Sequence, residues 1–152
     1  MSPSKISKRI FLDRLAWVNR MVAQIRALPL ADPTAFMADS RNVSTAESCL
    51  RRGLEALFDL GRHILARAFG KGISEYKEIA SGLQEMGVLN AGQKRLLDIL
   101  AGYRNRMVHF YHEISAEELL EICAGQLGDI TAIRDALRAW YDLHPELIDL
   151  TL

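Results

Sequence analysis

The sequence predicts an all-α fold: an antiparallel helical bundle of four to five main helices. Three observations predict it. Apolar residues recur at steps of three and four along most of the chain. Capping and stop residues cut this pattern into long segments joined by short loops, which places successive helices side by side. No stretch of useful length alternates apolar with polar residues as a half-buried strand does. The 152 residues form a single domain, 1–152, large enough to bury a core. No internal repeat, low-complexity tract or linker divides it.

The first helix is marked by Phe11, Leu15, Val18, Val22 and Ile25, and runs from about Ser7 to Leu28, where Pro29 ends it. Asp32-Pro33 reads as an N-cap followed by proline at the first helical position, opening a short helix or turn over Thr34 to Ala38. Leu50, Leu54, Leu57, Gly61, Ile64 and Ala68 mark a long second helix from about Asn42 to Phe69, closed by Gly70 and Gly72. Ser74 caps a shorter third helix to Met86, with Gly87 as its stop. Asn90 caps a fourth, whose buried stripe is Leu96, Leu100, Tyr103, Met107 and Phe110. Ser115-Ala116-Glu117-Glu118 is a capping box. It starts a fifth helix carrying Leu120, Cys123, Leu127, Ile130, Leu137 and Trp140, which His144-Pro145 ends. The apolar tail Leu147–Leu152 is expected to pack on the bundle or on a second subunit.

Nineteen basic residues balance nineteen acidic ones. A general nucleic-acid binder shows net positive charge, so any contact with nucleic acid must be a local patch or groove. Cys49 and Cys123 both lie in apolar helical patterns, and no CxxC is present, which reads as buried thiols in a reducing compartment. The N-terminus lacks an apolar signal core, and no apolar run approaches the ~20 residues of a membrane span. A cytoplasmic protein without membrane contact is expected.

One stretch concentrates chemistry: Arg104-Asn105-Arg106-Met107-Val108-His109-Phe110-Tyr111. An arginine grips a phosphate with a planar fork of donors, and a histidine moves a proton near neutral pH. Each residue also has a plainer reading. Arg104 can pair with Asp98 or Glu113 as a surface ion pair, His109 can be structural, and Tyr111 can close the core. His109, His112 and Glu113 do not follow the order of known zinc motifs, so neither a metal site nor a cofactor is expected.

Arg104, four residues, His109, one residue and Tyr111 form an R-x4-H-x-Y pattern that resembles the signature of HepT-like toxins, members of the HEPN superfamily of helical ribonuclease domains. The resemblance extends to Asp59-Leu60-Gly61-Arg62-His63-Ile64-Leu65 on the long helix, to Tyr76 and Leu83 ahead of Gly87-Val88-Leu89, and to the Arg-Asn pair opening the motif. It implies a homodimeric bundle whose motifs meet at a cleft between subunits and cleave RNA without a metal. It further implies a toxin paired with a minimal nucleotidyltransferase antitoxin that can transfer AMP to a tyrosine in or beside the motif. Tyr111 matches the signature tyrosine. Some relatives carry another tyrosine two positions after the motif arginine, where this chain has Arg106.

The residue types fit that chemistry. Cleavage of RNA by its own 2′-hydroxyl needs a base, an acid and stabilisation of phosphoryl charge. His109 serves as base or acid, Arg104 holds the phosphate, Asn105 orients His109 from one turn earlier, and Arg106 is the first basic residue to place on RNA. Asp59 and His63 are candidates for a supporting role from the long helix. His144 reads as a C-terminal cap. One geometric tension remains: at ~100° per residue, His109 points ~140° from Arg104. A π-bulge or a helix from a second subunit is expected to bring them together. The competing reading is a non-catalytic subunit of a nucleotidyltransferase in which Arg104 holds a nucleotide phosphate.

Overall fold

The computed structural model describes residues 4–151, with only the backbone at Tyr111. Six helices dominate: α1 (Lys8–Arg26), α2 (Pro33–Ala38), α3 (Ser40–Phe69), α4 (Tyr76–Glu85), α5 (Ala91–His109) and α6 (Ala116–Leu143). The all-α bundle expected from the periodicity is the fold observed, with α2 and α4 as shorter members. The 30-residue α3 is its spine, packing against α1, α2, α4, α5 and α6. Its inward face buries Leu50, Leu54, Leu57, Phe58, Leu60, Ile64 and Leu65. It ends at Gly70, whose φ of 66° lies in the left-handed region that glycine adopts without a Cβ clash.

Two glycines let α4 lie close on α3. A Cβ at Gly61 would stand 2.9 Å from Leu83 Cδ1 and 3.0 Å from Ile79 Cγ2. A Cβ at Gly82 would stand 2.9 Å from Ile73 Cδ1 and 3.0 Å from Leu65 Cδ1. This crossing fixes where the start of α4 comes to rest. That start differs from the expected one: Glu75, not Ser74, is the N-cap, and it makes no side-chain cap.

Helix α5 begins with a complete capping box. Asn90 Oδ1 accepts from the Gln93 amide at 2.8 Å, and Gln93 Oε1 accepts from the Asn90 amide at 3.0 Å. The fully buried residues of α5 are Leu97, Leu100, Ala101 and Met107, while Leu96 and Tyr103 are only partly buried. Phe110 departs further from the expected stripe. The helix ends at His109, Phe110 leaves the helical path at φ −133°, and its side chain is 51% exposed.

The box expected at the start of α6 is half formed. Ser115 Oγ accepts from the Glu118 amide at 3.1 Å, while the Glu118 carboxylate turns to Arg106. At the other end, His144 is the C-cap, with Nδ1 2.7 Å from the Trp140 carbonyl and its ring stacked on that indole.

Only the first part of the apolar tail packs on the bundle: Leu150 is 73% exposed, and Leu152 lies outside the described residues. Leu147 and Ile148 lie against the core. Ile148–Asp149 forms a two-residue parallel pairing with Ile6–Ser7, a strand element that no alternation in the sequence announces. Both cysteines are buried, and burial pushes the Cys123 thiol up to about 12. Among the described residues no helix is long and apolar enough to cross a membrane.

Candidate functional site

The last turns of α5 face the entry to α4 across a cleft of about 290 Å3, lined by Ser74, Glu75, Tyr76, Lys77, Arg104, Asn105 and His109. Arg104, Asn105 and His109 therefore border one space within a single chain. No π-bulge brings them there, because α5 stays α-helical through His109. The rise of five residues is only ~7.5 Å at 1.5 Å each, and the arginine side chain is long, so a regular helix lets both ends line the same cleft. His109 is exposed at the mouth, whereas the Arg104 side chain is only 15% exposed.

Arg104 is held on several sides. Its Cζ sits 3.9 Å from the centre of the Tyr76 ring. Its Nη1 donates to Asn105 Oδ1 at 3.2 Å. Its Nη2 lies 3.9 Å from Glu55 Oε1 on α3. Its Nε is buried without an acceptor among the described residues. The expected partners Asp98 and Glu113 are not those that hold it; Asp98 pairs with Lys94 at 2.6 Å.

Asn105 lines the cleft, but its amide oxygen braces Arg104 rather than His109. Arg106 does not line the cleft. It points toward α6, where both ends of its fork engage Glu118 at 2.6 and 3.0 Å. Each partner favours the charged form of the other, raising the guanidinium's pKa and lowering the carboxyl's. Tyr111 begins a 3-10 turn, Tyr111–Glu113, directly after the site; its side chain lies outside the described residues.

Neither candidate from α3 lines the cleft. His63 Nε2 accepts a hydrogen bond from the Ser7 amide at 3.1 Å. Burial, with Arg67 and Arg14 nearby, lowers its pKa to about 4, so the ring is neutral and structural. Asp59 acts at a distance. It pairs with Arg62 at 3.4 Å, and Arg62 donates to the carbonyls of Ile73 and Ser74 while lying 5.2 Å from the Tyr76 ring.

Ser74, Glu75, Tyr76 and Lys77, which line the cleft, and Glu55, beside Arg104, are the residues that sequence reasoning did not assign to the site. Tyr76 entered only as part of the family resemblance, and nothing local shows that the start of α4 folds back onto the end of α5. A larger cavity of about 470 Å3 between α1 and α3 is lined by Asp13, Arg14, Trp17, Arg52, Glu55, Ala56 and Asp59. It offers no imidazole and mixes three carboxylates with two guanidiniums, so the smaller cleft is the better candidate for phosphate chemistry. Among the described residues, no group of three or more His, Cys, Asp or Glu is placed to hold a metal ion.

Comparison with curated proteins gave no match. Among solved structures, the chain is similar to a tri-AMPylated HEPN toxin of Shewanella oneidensis in complex with an MNT antitoxin (TM-score 0.75, 21% identity, 86% of this chain and 97% of that one). It is similar to a toxin–antitoxin crystallised with AMP-PNP (TM-score 0.74, 19% identity, 84% and 97%). It is also similar to YutE of Bacillus subtilis, a cytosolic protein of unknown function (TM-score 0.75, 15% identity, 93% and 95%). At these identities the likeness establishes the fold. A family model described as Ribonuclease HepT-like matches residues 18–137, well over half of the chain. The chain belongs to the HepT-like ribonuclease family.

Proposed function

We propose that the protein is a toxin acting as a metal-independent RNA endonuclease, with Arg104 and His109 as its catalytic residues. The observation that carries this reading is the cleft itself: a phosphate-binding side chain and a proton-transfer side chain of one helix border the same small space. His109 takes the proton from a ribose 2′-hydroxyl, and the 2′-oxygen attacks the adjacent phosphorus. Arg104 offers its donors to the phosphoryl oxygens as charge builds on them. The 5′-oxygen leaves with a proton from a second acid, so the products are a 2′,3′-cyclic phosphate and a 5′-hydroxyl.

One chain supplies one imidazole to the cleft, and two proton transfers need two groups. A homodimer with its two clefts joined would place His109 of the partner subunit opposite the first. The outward position of His109 and the exposed Phe110 beside it support such a seam.

The partner proposed for this toxin is a minimal nucleotidyltransferase antitoxin that transfers AMP to Tyr111. Family membership and the shared fold with toxins solved in antitoxin complexes support it. The position of Tyr111 directly after the site suits a blocking modification.

The test is cleavage of RNA by purified protein in the presence of a chelator. Wild type should cleave, while His109→Ala and Arg104→Ala should lose at least about a hundredfold in rate and stay folded. A wild type that leaves RNA intact favours the non-catalytic partner subunit, with Arg104 on a nucleotide phosphate. For the partner, intact mass after co-expression with a nucleotidyltransferase antitoxin should show additions of AMP that vanish in Tyr111→Phe.

A further inference from the structure

We infer that Tyr76 is a positioning residue for Arg104: its ring sets the plane of the guanidinium in the cleft. The inference rests on the phosphate-holding role of Arg104 proposed above. A guanidinium has two ways of being held. A carboxylate grips its edge and occupies the donors that a phosphate needs. An aromatic ring takes its face and leaves the in-plane donors for another partner. Arg104 is held mainly in the second way. Its Cζ lies 3.9 Å from the Tyr76 ring centre. The nearest carboxylate oxygen of Glu55 is 3.9 Å from Nη2, beyond hydrogen-bond distance. The arginine is thus oriented while, among the described residues, Nη1 alone has an acceptor, Asn105, and Nε is buried without one.

The ring is itself fixed. Phe58 on α3 meets it edge-on, with centroids 5.0 Å apart at 77°. Arg62 lies 5.2 Å from its centre and donates to the carbonyls of Ile73 and Ser74, the residues that lead into α4. Asp59 anchors Arg62 at 3.4 Å. A chain of contacts runs from Asp59 through Arg62 and Tyr76 to Arg104, so α3 sets the angle at which an α5 side chain meets its phosphate.

The experiment is a double-mutant cycle on single-turnover RNA cleavage, using wild type, Tyr76→Phe, Tyr76→Leu, Arg104→Ala and Tyr76→Leu with Arg104→Ala. Phenylalanine keeps the face and should stay within about threefold of wild type. Leucine keeps bulk without the face and should lower the single-turnover rate constant by roughly 10- to 100-fold, with the shape of the pH profile unchanged. In the Arg104→Ala background, Tyr76→Leu should cost nothing further. A wild-type rate in Tyr76→Leu overturns the inference alone, as does an equal loss with and without Arg104, which marks a merely structural ring. If wild type does not cleave, the nuclease reading fails, and the same cycle is read on affinity for a 2′-O-methyl RNA. Weaker binding in Tyr76→Leu only when Arg104 is present sustains the inference; no such coupling overturns it as well.

Discussion

Arg106 and Glu118 form a two-pronged ion pair, Nη1 to Oε1 at 2.6 Å and Nη2 to Oε2 at 3.0 Å, that ties the end of α5 to the first turn of α6. The pair explains two departures from expectation. It draws Glu118 away from the capping box, and it turns Arg106 away from the cleft that Arg104, Asn105 and His109 line.

Glu118→Gln should lower the melting temperature at neutral pH. The pair holds the folded carboxyl below its usual range, so its contribution is present above the unfolded pKa and is lost as pH falls through the folded one. The gap between wild type and variant should therefore close in acid. Arg106→Ala should lower stability in the same way while leaving the salt dependence of RNA binding unchanged. A shallower salt slope in that variant would mean that Arg106 contacts phosphate after all.

The α3–α4 crossing should be sensitive at Gly61, where an added Cβ meets Leu83 and Ile79 at 2.9 and 3.0 Å. Gly61→Val should destabilise by about 1–3 kcal/mol in chemical denaturation, because extra methyls force the two helices apart. Gly61→Ala should be milder, since alanine regains about 1 kcal/mol of helix propensity. Cleavage should fall with the valine variant beyond what the folded fraction explains, because α4 carries Tyr76 to the cleft.

His63 predicts a stability profile in mild acid. The folded ring is neutral, with its pKa lowered to about 4 from 6.5, mainly by burial. Below pH 6.5 the unfolded chain binds a proton that the folded chain refuses, so stability falls as pH drops from 6.5 toward 4 and levels off below. The slope contributed by this one group is at most about 1.4 kcal/mol per pH unit, and less where solvent reaches the ring. Denaturation midpoints across that window check it; His63→Gln should flatten the profile.

Most of the architecture was legible in the order of residues. Helix α3 could be placed almost to its ends because its apolar stripe is long and Gly70 supplies the left-handed stop. Asn90, as a cap, announced the start of α5, and Ser115 that of α6. These are local effects: a cap, a period or a positive φ acts within one or two turns, where the chain is its own neighbour. The motif residues were legible for the same reason, as reactive side chains crowded into eight positions.

What the order of residues left open was every relation between distant segments. It could not say that Tyr76 would lie under Arg104, that Glu118 would choose Arg106 over its own helix cap, or that Ile6 would pair with Ile148. Helical arithmetic, which set Arg104 and His109 on different sides of α5, gave no hint that the start of α4 would close one cleft around both. Packing decided these matters, because the depth at which α4 sits on α3 depends on glycines and apolar side chains far from the motif, and a ring or a carboxylate takes whichever partner that packing brings within reach.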